Sequence, residues 1–146
     1  MDQKDRMAIQ HCVSANIRKM DRAVTKIYDE AMASCHLRIT QFTLLATLSA
    51  TGTPLTINQL ANSMVMDRTT LTRNLGPLTQ QGWVRIEVGK DQRTRLVHLT
   101  PEGEETLNQA LKLWKTAQQR VIQLLGEERV DRLLQDMSDA VDLVHQ

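Results

Sequence analysis

The sequence of 146 residues is poor in aromatic side chains, which make up 3% of it. So few rings exclude the stacking surfaces on which RRM-type sheets hold bases, and they require a core of aliphatic and methionine side chains. Two cysteines are too few for a disulfide scaffold. No apolar run has membrane-spanning length, and the charged N-terminal residues precede no signal-peptide segment. We therefore expect a soluble, cytoplasmic protein without a membrane partner.

The formal net charge is only +1, which excludes a uniformly basic coat for nucleic acid. Basic residues are instead concentrated between residues 68 and 98, where acidic residues are few. The basic set is Arg68, Arg73, Arg85, Lys90, Arg93 and Arg95. From Glu102 onward, acidic residues outnumber basic ones. This uneven distribution indicates a local anionic partner.

Apolar periodicity predicts long helices at both ends of the chain. The first is expected over residues 4–33, and two more follow Pro101 and Gly126. The stripe of the first helix has spacings of four and three, typical of a helix that packs lengthwise on another. Its members are Ile9, Val13, Ile17, Met20, Val24, Ile27 and Ala31. These helices carry more apolar surface than the middle of the chain can cover, so we expect a homodimer.

The middle of the chain predicts a reader of two helices followed by a hairpin. A helix over residues 40–50 precedes a short helix over 57–64, and a three-residue turn leads to a helix over 68–80. Asp67 is a good N-cap for that last helix, and Gly76-Pro77 should kink it or thin its final turn. Two strands follow, one of which presents Val84, Ile86 and Val88 on one apolar face. The order is that of a winged helix-turn-helix domain.

Burial of the leucines of the 68–80 helix leaves a polar face whose residue types suit DNA. Arginine can bind guanine, asparagine can bind adenine, and threonine can contact phosphate or a thymine methyl group. That face comprises Arg68, Thr69, Thr70, Thr72, Arg73 and Asn74. A merely solvated helix could look the same, and the hairpin loop decides between the two interpretations. Its Lys90, Arg93 and Arg95 fit a wing that reaches phosphates and the minor groove, with Asp91 holding Arg93 or Arg95 extended.

The same segments resemble the MarR family of bacterial transcriptional regulators. The resemblance is carried by Leu60-Ala61, residues 67–75 (DRTTLTRNL), Gly82-Trp83-Val84, residues 89–94 (GKDQRT) and residues 99–103 (LTPEG). It extends to Gln41-Phe42, and the helical ends fit too. It implies a homodimer with interlocked terminal helices that binds a palindromic operator as a repressor or, less often, an activator. It also implies that Arg93 is the minor-groove residue of the wing.

The expected fold is mainly α with a small β-hairpin wing. We assign residues 1–36 to an N-terminal dimerisation helix, 37–100 to a winged helix-turn-helix domain, and 101–146 to C-terminal dimerisation helices. An enzyme is not expected, because the sequence has no glycine-rich phosphate loop and no spaced metal ligands. No cofactor or metal is expected either. A winged-helix module for protein interaction is the alternative from another functional class.

Regulators that this chain resembles respond to a signal, and the resemblance implies a small aromatic or lipophilic inducer. Candidate lining residues lie where the terminal helices meet the winged domain. They are Ile17, Arg18, Met20, Val24, Phe42, Leu45 and Trp114. Each apolar member could instead be core or dimer seam. The alternative signal is an oxidant acting on Cys12, although a structural thiol is the expected role of this residue.

Overall fold

Seven α-helices and a three-stranded antiparallel sheet build the computed structural model, which describes residues 1–145. Gln146, the last residue of the predicted C-terminal segment, lies outside that range. A 3-10 turn, Ala33–Cys35, follows the second helix. The elements in chain order are α1 Gln3–Gln10, α2 Val13–Met32, α3 Ile39–Thr51, β1 Leu55–Thr56, α4 Ile57–Ser63, α5 Arg68–Gln80, β2 Val84–Val88, β3 Arg95–Leu99, α6 Pro101–Leu125 and α7 Glu127–Val144.

The prediction of one continuous helix over residues 4–33 is wrong, because the chain breaks between α1 and α2. His11 closes α1, and Cys12 is extended, with φ −62° and ψ 114°. The Asn16 side chain donates to the carbonyls of Gln10 (3.0 Å) and Cys12 (2.9 Å). A side-chain amide that takes backbone carbonyls competes with helical hydrogen bonding. Apolar periodicity continues across this break and cannot reveal it.

The core is formed by α2 to α6 together with the small sheet. Only the second half of α2 contributes, through the buried Tyr28 and Met32. The Tyr28 hydroxyl donates to Oε1 of Gln118 on α6, and burial raises the pKa of Tyr28. On α3 the buried positions are Phe42, Leu44, Leu45 and Leu48. The first half of α2 remains exposed, as do α1 and most of α7.

The sheet contains one strand that the sequence did not predict. β1 pairs with β3, and β3 pairs with β2, all antiparallel. Val84 lies opposite Leu99 and is buried, whereas Val88 lies opposite Arg95 and is 56% exposed. The predicted apolar face of β2 therefore covers core only at its start, because the hairpin extends beyond the domain.

The base of the hairpin is fixed to the first turn of α6. The Thr100 N–H donates to the Trp83 carbonyl (3.1 Å). The Thr100 hydroxyl donates to the Gly82 carbonyl (2.6 Å) and accepts the Gly103 N–H (3.0 Å). A Cβ atom on Gly103 would lie 2.1 Å from the Trp83 oxygen, so only glycine permits this approach. This contact sets the position of the wing relative to α6.

Candidate DNA-binding interface

The two reader helices are joined by a turn with a strained residue. Helix α4 is capped by Thr56, whose hydroxyl accepts the Gln59 N–H (3.1 Å). The helix ends at Ser63, one residue earlier than predicted. In the turn, Val65 has φ 52°, an unfavourable value for a β-branched residue. Hydrogen bonds from Val65 N–H to Asn62 (3.1 Å) and from the next N–H to Ala61 (2.9 Å) maintain the turn and hence the angle between the helices.

Asp67 caps α5, as predicted. One carboxylate oxygen accepts the Thr70 N–H (2.7 Å), and the other accepts the Thr70 hydroxyl (2.8 Å). The backbone hydrogen bond from Thr70 is the main reason that the pKa of Asp67 is lowered, and the charge of Arg73 contributes less. Helix α5 continues past Pro77 to Gln80, although Pro77 has no N–H to donate within the helix. The reader helix is therefore a single element with a fixed start.

The polar face of α5 is partly engaged in contacts with its own scaffold. Four predicted residues are exposed: Arg68, Thr69, Thr72 and Arg73. Thr70 and Asn74 are half-buried. A guanidinium nitrogen of Arg68 donates to Oδ1 of Asn58 on α4 (3.0 Å), and the Asn74 amide donates to the Thr70 carbonyl (2.9 Å). The structure thus places all six on or beside one face, with Arg73 making no recorded hydrogen bond within residues 1–145.

The hairpin loop is held by hydrogen bonds to its backbone. The Asp91 carboxylate accepts the Arg93 N–H (3.0 Å), and a guanidinium nitrogen of Arg95 donates to the Gln92 carbonyl (2.7 Å). The predicted contact of Asp91 with an arginine side chain is therefore wrong: among the described residues Asp91 forms no ion pair within 4.0 Å. Lys90 and Arg93 are exposed. A short Asx-type loop places the carboxylate nearest to the next backbone N–H groups, which explains the difference.

Sequence reasoning missed a charged cluster on the outer face of the hairpin. Glu87 lies 2.7 Å from Nε of Arg85 and 3.0 Å from Nε2 of His98. The His98 nitrogen is buried and has no hydrogen-bond partner within residues 1–145. Arg85 faces His98 across the strands, so the hairpin register was the signal that could have predicted the cluster. Because Glu87 neutralises it, Arg85 adds little to the basic surface.

The predicted ligand-lining residues are divided between core and exposed surface. Phe42 and Leu45 are buried, and the Trp114 ring stacks on Phe42 with centroids 5.9 Å apart. Val24 packs partly buried against the same core. The remaining three are exposed on the first half of α2: Ile17, Arg18 and Met20. None of the seven lines the cleft between the end of α3 and the start of α6 or the cleft between the start of α3 and α5.

The cysteines and the acidic residues form no metal site in the described part of the chain. Cys12 is exposed between α1 and α2, and Cys35 is half-buried at the end of the 3-10 turn. No helix within residues 1–145 is long and apolar enough to cross a membrane.

Helix, turn, helix and basic hairpin in this order define a winged-helix DNA-binding protein. Comparison with known proteins identifies the family within this class. The profile of the MarR family matches residues 37–94. The M. tuberculosis transcriptional regulator MosR, solved in complex with DNA, is 32% identical, with a TM-score of 0.79 over 92% of this chain and 99% of MosR. The chain belongs to the MarR family.

Two further relatives agree with this assignment. The HTH-type transcriptional regulator PecS of Dickeya dadantii is 29% identical over 117 residues, which are 78% of this chain and 68% of PecS. MarR of E. coli is 22% identical and superimposes with a TM-score of 0.70 over 88% of this chain and 96% of that protein, which shows the shared fold. The protein is a MarR-type transcriptional regulator that binds DNA. MosR and PecS are both named as transcriptional regulators.

Proposed function

We propose that two copies of the chain bind a palindromic operator, repress transcription from it, and release it when a small aromatic or lipophilic ligand binds. The observation that carries the proposal is an exposed polar face on α5 together with an exposed basic loop on the adjacent hairpin. The complex of the similar regulator MosR with DNA supports it. A repressor of this kind acts where the bacterial chromosome lies, in the cytoplasm.

In this proposal α5 lies in the major groove and the hairpin extends to the neighbouring minor groove. The groove residues are Arg68, Thr69, Thr70, Thr72, Arg73 and Asn74. Those of the wing are Lys90, Asp91, Arg93 and Arg95, with Asp91 acting on the loop backbone rather than on DNA. Arg73 and Asn74 contribute to the choice of sequence, whereas Arg93 contributes affinity for all sequences.

The terminal helices supply the homodimer. Helix α7 has 18 residues but buries only Val130 within the protomer. Leu134 (55% exposed), Met137 (52%) and Val141 (44%) follow at spacings of three and four, so they share one face. Exposed apolar residues on α1 and α2 add to this surface. A second copy of residues 1–36 and 101–146 is the partner that covers it, which leaves residues 37–100 to bind DNA.

Sedimentation of a charged variant tests the dimer. We expect wild type to sediment as a dimer at micromolar concentration and Met137→Glu to shift toward monomer, because a carboxylate would be buried without a partner. Val88→Glu is the matched control, since Val88 is equally exposed (56%) but lies on the hairpin. A monomeric wild type, or equal dissociation of both variants, would contradict the proposal.

DNA titration of side-chain variants tests the reader. We expect Arg73→Ala to lose about 1–3 kcal/mol of binding free energy and to discriminate less between sequences. Arg93→Ala should weaken binding to every duplex by a similar factor. Arg120→Ala is the control, because Arg120 is exposed about 28 Å along α6 from its start. If Arg93→Ala bound with wild-type affinity at physiological salt, the wing assignment would be wrong.

The ligand acts in this proposal by changing the distance between the α5 helices of the two protomers. These helices must lie about one helical turn of DNA apart to bind the operator. A thermal-shift screen with aromatic acids identifies it: a ligand that raises the melting temperature should also release the operator. Phe42→Ala should abolish both effects if the ligand contacts the Phe42–Trp114 pair. Stabilisation without release would contradict ligand relief.

Oxidant sensing through Cys12 is the second candidate signal, and the exposure of this thiol at the α1–α2 junction is the observation that favours it. If it is correct, hydroperoxide releases DNA from wild type but not from Cys12→Ser. A protein-interaction module is the remaining alternative, and failure of wild type to bind any duplex would favour it.

A further inference from the structure

A cleft of about 430 Å³ separates the start of α3 from the middle of α5. The cleft is lined by Arg38, Thr40, Gln41, Arg73, Asn74 and Pro77. At about 30 Å³ for each water it accommodates roughly 14 water molecules, which is enough for a hydrated phosphodiester group. The cleft therefore adjoins the reader helix at Arg73 and Asn74 and extends from them to the start of α3, which the predicted DNA-binding residues do not include.

The chemistry of this cleft favours an anion. None of its six lining residues is acidic, and two are arginines. Within residues 1–145, neither Arg38 nor Arg73 has a carboxylate within 4.0 Å. Asp29 accepts the Ile39 N–H (2.7 Å) and keeps its charge, but its carboxylate lies more than 4.0 Å from both guanidinium groups. Two unpaired guanidinium groups attract an oxyanion and can bind it bidentately.

Hydrogen bonds in the wall leave donors available for such a ligand. The Gln41 carbonyl oxygen accepts the Arg38 N–H (3.0 Å), so its amide nitrogen, a donor, remains without a recorded partner within residues 1–145. The Asn74 amide is occupied by the Thr70 carbonyl (2.9 Å). The available groups are thus the two guanidinium groups and the side chains of Thr40 and Gln41, all of which can donate.

The position of the cleft beside α5 favours a DNA phosphate as its anion. A helix with side chains is about 10–12 Å in diameter, and the major groove is about 12 Å wide. A reader helix that fills the groove therefore brings its flank against the phosphates of one strand. Since Arg73 belongs both to the reader face and to the cleft, a phosphate at the groove edge can occupy the cleft while α5 contacts bases. A free anion has no equivalent reason to bind beside α5.

We propose that Arg38, with Thr40 and Gln41, binds an operator phosphate and so extends the DNA interface from α5 to the start of α3. The inference rests on the proposed function, because it assumes that α5 occupies the major groove. Arg38 then contributes affinity and fixes the register of the protomer on DNA, but does not distinguish base sequences.

Titration of Arg38→Ala with operator and with unrelated duplex tests the inference. We expect affinity for both duplexes to fall about tenfold, and the slope of log affinity against log salt to decrease by about 1 for each bound protomer. Arg38→Lys should recover most of the affinity, since lysine also binds phosphate. Arg120→Ala is the charge-matched control; because Arg120 lies in the proposed dimerisation segment, sedimentation verifies that each variant is dimeric and thermal melting that it is folded.

Three results would overturn the inference in distinguishable ways. Wild-type affinity and salt slope in Arg38→Ala, with weakened binding in Arg73→Ala, would leave the proposed function intact and exclude a phosphate contact by Arg38. Unchanged DNA affinity in Arg38→Ala, together with loss of stabilisation by inorganic phosphate in thermal melting, would assign the cleft to a free anion. Absence of DNA binding by wild type would overturn the proposed function as well.

Discussion

Replacement of Gly103 by alanine is expected to destabilise the protein, although alanine is ordinarily the better helix former. The new Cβ would lie 2.1 Å from the Trp83 carbonyl oxygen and 2.8 Å from Cδ1 of Leu99. An unstrained C···O contact is about 3.3 Å or longer, so the backbone at the hairpin base must move by about 1 Å. Overpacking of this kind costs about 1–3 kcal/mol.

Two smaller effects also contribute to the change in the free energy of unfolding of Gly103→Ala. Movement of Trp83 weakens the hydrogen bond from the Thr100 N–H (3.1 Å), which costs about 1 kcal/mol. The higher helix propensity of alanine stabilises α6 by about 1 kcal/mol and offsets part of this loss. The net loss is therefore about 2 kcal/mol, which lowers the thermal midpoint by roughly 4–8 °C for a chain of this size.

Thermal unfolding at one fixed protein concentration measures this loss, because the proposed dimerisation would make the midpoint depend on concentration. Gly76→Ala is the matched control: Gly76 is also a helical glycine, but its Cβ would meet nothing within 4 Å. We expect Gly76→Ala to raise the midpoint by the propensity gain alone. A midpoint for Gly103→Ala at or above that of wild type would refute the argument that α6 and the hairpin base are in obligatory contact.

Further predictions concern individual hydrogen bonds and are measured by urea or thermal unfolding. Thr100→Val should cost about 1–2 kcal/mol, because it removes both the α6 cap and the contact with Gly82; a neutral result would contradict its role. Tyr28→Phe should cost about 1 kcal/mol by removing the donor to Gln118, whereas unchanged stability would mean that water replaces it. The pKa of Asp67 is lower in the folded state, so its stabilisation exists above the ordinary carboxyl range and disappears on acidification through the lowered pKa. Wild type should therefore lose stability relative to Asp67→Asn as the pH falls through that interval, and parallel curves would contradict this.

The winged-helix core could be predicted from the sequence because local rules determined it. Asp67 and Thr56 are good N-caps, and each caps its helix as expected from its side chain. Leucines at helical spacing are buried on α5, and the hairpin forms over the alternating segment. In such elements, periodicity, capping and turn chemistry all favour the same structure.

Two kinds of feature could not be predicted: those that depend on pairing between distant segments, and those in which a side chain competes for backbone hydrogen bonds. At the break near Cys12, the Asn16 amide binds the Gln10 carbonyl, which a continuous helix would pair with the N–H of residue 14. β1 has only two residues and exists through its pairing with β3, so its sequence carries no alternation to detect. Asp91 binds a backbone N–H rather than an arginine side chain, a choice that depends on the exact loop conformation.

The sequence predicts part of the candidate site, and the proposed extension to α3 depends on tertiary packing. The sequence indicated the α5 face and the hairpin loop, while the cleft formed with Arg38 depends on how α3 packs against α5. Neither helix alone contains a signal for that cleft. Glu87 is a different case: its pairing with Arg85 on the same strand follows from the hairpin register and reduces the basic surface that a simple charge count suggested.

Selection of binding sequences from a random DNA library tests the central claim most directly. If two protomers present α5 to successive major grooves, the selected duplexes should share a palindrome with half-sites about one helical turn apart. Affinity for that palindrome should fall steeply between about 50 and 200 mM salt and exceed affinity for unselected DNA by at least about 10³. Recovery of no common sequence, or of a single half-site bound equally well without its repeat, would contradict a homodimeric operator-binding regulator.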